Sequence, residues 1–102
     1  MIRVTYDRER CALSARGHAG QAAKGSDVVC AAVTALLLTA ARYAEKAPGA
    51  SVRWEPGDLR VRVSPERTER ARPVLDALAD GLRGIAESWP DHVRFFTGEA
   101  EE

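Results

Sequence analysis

The sequence predicts an α+β domain, in which two hairpins form a small, mainly antiparallel sheet and two helices pack on it. Two pairs of short segments alternate apolar and polar residues with a period of two, as half-buried strands do. Each pair is followed by a longer segment with helical periodicity. The predicted order is therefore ββαββα. The segment HVRFF near the end can add a short C-terminal strand.

Length and charge limit the classes of protein to consider. The chain has 102 residues, which predicts a single domain, 1–102, with one core. Its 15 basic and 15 acidic residues give a formal net charge of zero, so we expect no direct binding of nucleic acid. The longest run without charge or glycine, residues 28–41, has the length of a core helix and is too short to span a membrane. The opening MIRVTYDRER lacks the apolar run of a signal peptide, which indicates a cytoplasmic protein.

The first hairpin is predicted from two alternating segments joined by the charged tetrapeptide DRER. Its buried face would carry Ile2, Val4, Tyr6, Cys11, Leu13 and Ala15. Because Cys11 alternates with Leu13, we interpret it as a core residue.

A glycine-bearing loop and an apolar helix follow the first hairpin. The alternation stops where Gly17, Gly20 and Gly25 supply backbone freedom. Asp27 is a good N-cap for the next helix, because its carboxylate can accept a hydrogen bond from an amide of the first turn. This helix is predicted to end at about Glu45. It is apolar over much of its circumference, so we expect it to be covered by the sheet and also by the second helix or a second copy of the chain, as in a homodimer.

The second half of the chain repeats the pattern of hairpin and helix. The turn residues Pro56, Gly57 and Asp58 join the two strands. The second helix is predicted to start near Arg70, which places Pro73 in its first turn, because a proline in a helix interior costs roughly 3 kcal/mol. Its apolar stripe consists of Leu75, Leu78, Leu82, Ile85 and Trp89.

His18, Asp27 and Cys30 are the candidate chemical groups. If Asp27 is the cap, Cys30 is at the third helical position, where free backbone amides and the helix dipole favour a thiolate. A helix N-terminus stabilises an anion such as a thiolate by only about 0.3–1 kcal/mol, and a free thiol is mostly protonated at neutral pH. A base is therefore needed, and His18, at the exit of the second strand, can accept the proton if it lies in contact.

Each of these residues also has a purely structural interpretation. Cys30 can be a small core residue on an alanine-rich helix, and His18 a turn residue between glycines. His92 is interpreted as a solvated residue. Arg53, Arg60 and Arg62 form the outer face of the second hairpin, with a binding surface for RNA or an acidic partner as the alternative. The two cysteines fit neither a disulfide framework nor a metal site, and no phosphate-binding glycine motif is present, so we expect no metal and no cofactor.

Three segments together resemble a known family. GHAG, KGSDVVCAAVTALL and the opening MIRVTY, with two hairpins and two helices, are similar to the bacterial ribosomal-processing cysteine proteases, the Prp family. The resemblance covers nearly the whole chain. It implies that His18 and Cys30 are a catalytic dyad. It also implies a compact α/β dimer that removes the N-terminal extension of a large-subunit ribosomal protein by cutting after a pair of phenylalanines.

The sequence is thus interpreted as a cytoplasmic cysteine endopeptidase without metal or organic cofactor. Cys30 would attack the peptide carbonyl, His18 would accept and return the proton, and Asp27 would support the helix start. The substrate loop would contain Gly17, Gly20 and Gly25. Its partners would be a ribosomal protein precursor with an N-terminal extension and a second copy of the chain, with no membrane.

Two other classes remain as alternatives. One is a noncatalytic ribosome-associated module that binds a peptide and whose cysteine is structural. The other is a thiol redox sensor that uses Cys30 and Cys11 together.

Overall fold

The computed structural model describes residues 1–18 and 26–98, without the side chains of Ser26 and Asp27. The first half contains β1 (Ile2–Asp7), β2 (Ala12–Gly17) and α1 (Ser26–Ala44). The second half contains β3 (Ser51–Glu55), β4 (Asp58–Arg62), a 3-10 turn (Pro65–Arg67), α2 (Thr68–Ser88) and β5 (Val93–Thr97). This confirms the predicted α+β class, the order ββαββα and the short C-terminal strand.

The five strands form one sheet in the order β3-β4-β2-β1-β5. The pairs β1–β2, β2–β4 and β3–β4 are antiparallel, whereas β5 pairs in parallel with β1. The two hairpins are therefore joined through β2 and β4, with Ala15 opposite Leu59. A parallel edge strand is compatible with the hairpins because α2 carries the chain back across the sheet before β5 begins.

One face of the sheet is covered by both helices. The strand residues buried there alternate with polar ones, as the period of two predicts. The buried strand residues of this core include Ile2, Val4, Tyr6, Leu13, Ala15, Val61 and Val93. Helix α1 packs Val33 and Leu37 against these strand residues, and α2 packs Leu75 and Leu82 against them. All four helical side chains are almost completely buried. The opposite face is covered by no helix or strand of the described residues.

Helix α1 begins at Ser26, one residue before the predicted cap, and ends at Ala44, close to the predicted end. Cys30 is consequently the fifth helical residue rather than the third. Its amide is therefore outside the first turn, and the help that the helix terminus can give a thiolate is smaller than expected from the sequence. No helix in the described parts of the chain is long and apolar enough to cross a membrane.

The predicted start of the second helix was wrong by two residues. Ser64 caps the 3-10 turn by accepting a hydrogen bond from the amide of Glu66, and α2 continues from it at Thr68. Pro73 therefore lies inside the helix, beyond the first turn. Burial explains the early start, because Ala71 is completely buried at a position ahead of the proline. The carbonyl that Pro73 leaves without an amide partner belongs to Glu69, an exposed residue at which water can bind.

Most of the predicted stripe of α2 faces the core. Leu75 and Leu82 are completely buried, and Leu78 and Ile85 pack against the core in part. Trp89 is the exception, because α2 ends at Ser88 and the indole is 40% exposed.

Cys11 is a core residue, as predicted, although it lies in the turn just before β2. Its side chain is completely buried and its thiol donates a hydrogen bond to the carbonyl of Thr68, with 3.2 Å between sulfur and oxygen. Burial raises the pKa of this thiol above its usual value. Cys11 is therefore an inert thiol that ties the first hairpin to the start of α2.

Candidate active site

His18 follows the last residue of β2 and is held there through backbone contacts. The amide of Gly17 donates a hydrogen bond to the carbonyl of Gly57, with 2.9 Å between nitrogen and oxygen. The carbonyl of His18 accepts a hydrogen bond from the amino group of Met1. The histidine backbone is thus fixed between the start of β1 and the turn that joins β3 to β4.

The imidazole of His18 lies directly against Gly57. A Cβ atom at Gly57 would lie 2.8 Å from the Nε2 atom of His18 and 2.9 Å from its Cε1 atom. Gly57 also has a φ of +74°, the left-handed conformation that the second residue of a Pro-Gly turn requires. Glycine is therefore required at this position by the turn and by the contact with the histidine ring.

Cys30 and His18 line the same cavity, which has a volume of about 230 Å³. The remaining wall is mainly apolar, and its residues are Ile2, Ala15, Gly17, Val33, Thr34, Pro56, Gly57 and Leu59. Cys30 itself is half-buried. The volume suits one side chain of a substrate, since pockets for whole small-molecule ligands usually measure roughly 300–1,000 Å³.

The two candidate groups share the cavity without being hydrogen-bonded to each other. Within residues 1–18 and 26–98, no hydrogen bond joins the side chains of His18 and Cys30. A catalytic hydrogen bond is often long before substrate binds and shortens in the reacting complex. A thiol and an imidazole on the wall of one cavity can form a thiolate, attack a carbonyl carbon and move a proton to a leaving group.

The other predicted site residues are only partly described. Asp27 is the second residue of α1, and its side chain lies outside the described structure, so its capping role stays a prediction. Gly20 and Gly25 also lie outside the described residues. Gly17 is the last residue of β2 rather than a loop residue, and a Cβ atom there would clash with the carbonyl oxygen of Met1. Gly17 therefore permits a close approach of backbones.

Sequence reasoning missed the wall formed by the second hairpin. The sequence predicts Pro56 and Gly57 only as turn residues and gives no indication that Leu59 lies beside them on this wall. A two-residue turn is visible in the sequence, but its contact with His18 depends on β4 pairing with β2, more than 40 residues away along the chain.

The structure contradicts the redox alternative, in which Cys11 and Cys30 act together. Cys11 precedes the start of β2, whereas the cavity of Cys30 lies at the end of that strand, beside Gly17. A strand of this length spans about 20 Å, while the Cα atoms of a disulfide are usually no more than about 7 Å apart. Both cysteines are free thiols.

Another cavity, of about 620 Å³ and lined mainly by polar and charged residues, lies at the opposite end of β1. There the carboxylate of Asp76 accepts a hydrogen bond from the Tyr6 hydroxyl at 2.7 Å and two from Arg8 at 3.0 Å. These bonds, that of Arg8 above all, lower the pKa of Asp76. Burial, and then the bond to Asp76, raise the pKa of Tyr6 above its usual range. The residues that line this cavity include no cysteine and no histidine, so it offers no nucleophile of this kind.

The cavity and the fold define a class of protein. A half-buried cysteine near a helix start and a histidine at a strand end, on the wall of one cavity, are features of a cysteine peptidase. The model of the protein family "Cysteine protease Prp" matches residues 1–94. The chain belongs to the Prp family of cysteine proteases and is therefore a cysteine protease.

Solved structures share this fold. SMU.848 from Streptococcus mutans superposes with a TM-score of 0.75 at 25% identity, over 96% of this chain and 94% of that one. The essential ribosomal processing protease Prp from S. aureus, in complex with a substrate peptide, gives a TM-score of 0.75 at 19% identity, over 94% and 96% of the two chains. The same S. aureus protease with a covalently linked product peptide gives a TM-score of 0.71 at 19% identity, over 94% of this chain and 96% of that one. A comparison with curated protein sequences found no match.

Proposed function

We propose that this protease removes the N-terminal extension of a large-subunit ribosomal protein, with Cys30 as the nucleophile and His18 as the proton acceptor. The observation that carries the proposal is the single cavity lined by Cys30 and His18. The S. aureus protein of the same fold, whose name describes ribosomal processing, was crystallised with a substrate peptide and with a covalently linked product peptide. These complexes support a peptide substrate for the shared fold.

The first half of the reaction forms an acyl-enzyme. His18 takes the proton of the Cys30 thiol, and the thiolate sulfur attacks the carbonyl carbon of the scissile peptide bond. The carbon–sulfur bond forms while the carbonyl oxygen becomes an oxyanion, for which backbone amides at the start of α1 are candidate donors. When the intermediate collapses, the carbon–nitrogen bond breaks and the histidine gives its proton to the leaving amine.

The second half of the reaction regenerates the thiol. A water molecule gives a proton to His18 and attacks the thioester carbon, and the carbon–sulfur bond breaks. The thiolate leaves and takes up the proton from the imidazolium, which returns both groups to their starting state. This sequence needs no metal and no organic cofactor.

The walls of the cavity support a preference for apolar side chains near the cut. Ile2, Ala15 and Leu59 contribute apolar surface, and Val33 lies beside Cys30 on the next turn of α1. Part of the proposal is therefore that the substrate presents a phenylalanine pair next to the scissile bond, as the family resemblance implies. A phenyl group gains free energy when apolar walls remove it from water.

A homodimer in the cytoplasm is part of the same proposal. The outer side of α1 exposes Val28 to 64% and Leu38 to 46%, with the small residues Ala31 and Ala35 between them. These positions follow one another at spacings of three and four residues and therefore lie on one stripe of the helix. A second copy of the chain would remove this apolar stripe from water.

The proposal is tested with a synthetic peptide that spans the extension and the cleavage site. We expect wild type to cut it once, after the phenylalanine pair, as measured by mass spectrometry. Cys30→Ala should bind the peptide and leave it intact, because the variant loses only the attacking sulfur. His18→Ala should bind it and cut it at least about 1,000-fold more slowly, because the thiol loses its proton acceptor.

His92→Ala is the matched control, because it removes the other histidine, which is half-buried beside Trp89 and does not line the cavity. It should cut at the wild-type rate. If Cys30→Ala cuts as fast as wild type, Cys30 is not the nucleophile. If wild type cuts an unrelated peptide with a phenylalanine pair equally well, the protease is not specific for the ribosomal precursor.

A further inference from the structure

The uncovered face of the sheet concentrates arginines that are distant in the sequence. The registers place Arg16 of β2, Arg3 of β1 and Arg94 of β5 side by side. On the other half of the same face, Arg53 of β3 is opposite Arg60 of β4. The face also carries Arg62, and its carboxylates are Asp7, Glu55 and Asp58. Among the described residues, six arginines against three carboxylates make this face basic, although the chain as a whole has a net charge of zero.

Two of the three carboxylates, Glu55 and Asp58, are on the β3–β4 half of the face. Asp58 accepts a hydrogen bond from Arg60 at 2.8 Å and lies 3.7 Å from Arg53 and 3.9 Å from Arg16. The bond from Arg60 lowers the pKa of Asp58, which is therefore charged at neutral pH. Glu55 pairs with Arg53 at 3.2 Å. The β3–β4 half then has three arginines and two carboxylates, whereas the half around β1 and β5 has three arginines and only Asp7, so the larger net positive charge is around β1 and β5.

Arg3 and Arg94 have no carboxylate partner in segments 1–18 and 26–98. Neither makes a hydrogen bond or an ion pair within the described residues, and both are exposed. Like charges directly opposite each other on neighbouring strands destabilise a sheet. A row of Arg16, Arg3 and Arg94 is thus unfavourable in the isolated chain and becomes favourable when an anion lies across it.

A groove and an aromatic ring accompany this row. The groove, of about 420 Å³, is lined by two of these arginines and one carboxylate, together with residues at the ends of β1 and β2 and in the β3–β4 turn: Met1, Arg3, Thr5, Arg16, Gly17, Gly57 and Asp58. Phe96 is beside Thr5 in the register, on the same face as Arg94, and its ring is 44% exposed. Guanidinium groups spaced by about 5 Å from strand to strand, next to an exposed ring, fit a flexible chain of phosphates and bases.

We propose that this face, defined by Arg3, Arg16, Arg94, Thr5 and Phe96, binds single-stranded RNA. The arginines contact phosphates, and the ring of Phe96 stacks on a base. The proposal goes beyond the peptidase activity and departs from the expectation drawn from zero net charge, because the fold separates the charges. An acidic polypeptide would also suit the arginines, but it would make no use of an exposed phenyl ring.

The experiment is a fluorescence anisotropy titration with a labelled single-stranded RNA of mixed sequence, at several salt concentrations. We expect wild type to bind, with an affinity that falls steeply with salt because counterions are released. Arg3→Gln combined with Arg94→Gln should weaken binding by about 10-fold or more at low salt. The same pair should lower the magnitude of the salt slope by about 1.4, since each of the two lost phosphate contacts on a single strand contributes about 0.7. Phe96→Ala should weaken binding by about 5-fold or more through lost stacking.

Arg42→Gln combined with Arg70→Gln is the matched control. Both residues are exposed on the helices that cover the other side of the sheet, and the double variant loses the same charge. It should bind within about 2-fold of wild type. Circular dichroism verifies that each variant is folded, and the Arg3 and Arg94 variant should keep the wild-type Tm because it relieves repulsion.

Three results would overturn the proposal. The first is no binding of RNA by wild type at low salt. The second is an equal loss in the two double variants, which means that only total charge matters. The third is a poly-glutamate peptide that binds as tightly as the RNA, together with no effect of Phe96→Ala, which would assign the face to an acidic polypeptide.

Discussion

At the scale of single residues, Gly57 links the turn between β3 and β4 to the candidate dyad. Its position against the Nε2 and Cε1 atoms of His18 leaves no room for a methyl group. The ring of His18 is a flexible side chain and can move away from such a group, but it would then leave the orientation it has on the wall of the cavity. Gly57 is thus a positioning residue for His18.

We expect Gly57→Ala to lower kcat/KM by about 10-fold or more, with a loss of about 1–2 kcal/mol in the free energy of unfolding from the left-handed backbone. Gly98→Ala is the control, because Gly98 also has a positive φ, +112°, but has no atom within 4 Å of a Cβ atom built there. It should show a comparable loss of stability and the wild-type kcat/KM. Equal kinetics in the two variants, measured with the peptide substrate, would contradict the positioning role.

The two cysteines should differ in reactivity. Cys30 is half-buried on the wall of a cavity, whereas Cys11 is completely buried, donates a hydrogen bond and has a raised pKa. Iodoacetamide should therefore modify Cys30 in the native protein at least about 100-fold faster than Cys11. Peptide mapping by mass spectrometry measures both rates. In denaturant the two rates should become similar, and a native Cys11 that reacts as fast as Cys30 would contradict the structure.

At the scale of elements, the proline of α2 is the clearest departure from local sequence rules. The helix continues through Pro73 because the burial of Ala71 ahead of it, and of Leu75 after it, outweighs one missing hydrogen bond. Intrinsic propensity is a weak guide where tertiary packing decides, and this is the physical reason why the predicted start at Arg70 was wrong.

Replacing that proline should stabilise the protein. Pro73→Ala restores an amide that can bond to the carbonyl of Glu69, and we expect the free energy of unfolding to rise by about 1–3 kcal/mol in urea. Pro65→Ala is the control, since Pro65 begins the 3-10 turn, where a proline is tolerated. It should change stability little or lower it. A Pro73→Ala variant that unfolds at the wild-type urea concentration would show that the helix has adapted fully to the proline.

The sequence predicted the strands, both helices and Cys11 in the core because each leaves a periodic pattern. It also contained His18 and Cys30 as the candidate dyad, through their type and through family resemblance. It could not show that Gly57 touches His18 or that β5 lies beside β1, because both contacts join segments far apart in the chain. The same holds for the arginine row, whose members come from three strands.

At the scale of the whole molecule, Asp76 connects α2 to the first hairpin through Tyr6 and Arg8. The pKa of Asp76 is lowered in the folded state, by Arg8 first and then by Tyr6. A carboxylate of this kind stabilises the fold fully above its unfolded pKa, near 4, and the contribution is lost as the pH falls through the lower folded value.

Wild type should therefore lose more stability than Asp76→Asn between pH 6 and pH 3. We expect a difference of about 1 kcal/mol, because the pair is partly exposed and screened by solvent. Tyr6→Phe removes one of the hydrogen bonds and should give an intermediate pH dependence. Thermal unfolding at several pH values measures this, and identical slopes for wild type and Asp76→Asn would exclude the carboxylate as a contributor.

The parallel pairing of β5 with β1 also determines the order in which the molecule can be completed. Ile2 lies opposite Val93, so the chain must be synthesised beyond Val93 before the outer edge of β1 is paired. Until then a nascent chain that already contains His18, Cys30 and Gly57 has an open strand edge that can pair with another chain. Segment 93–97 lines no part of the candidate active-site cavity, and its pairing moves the open edge of the sheet from β1 to β5.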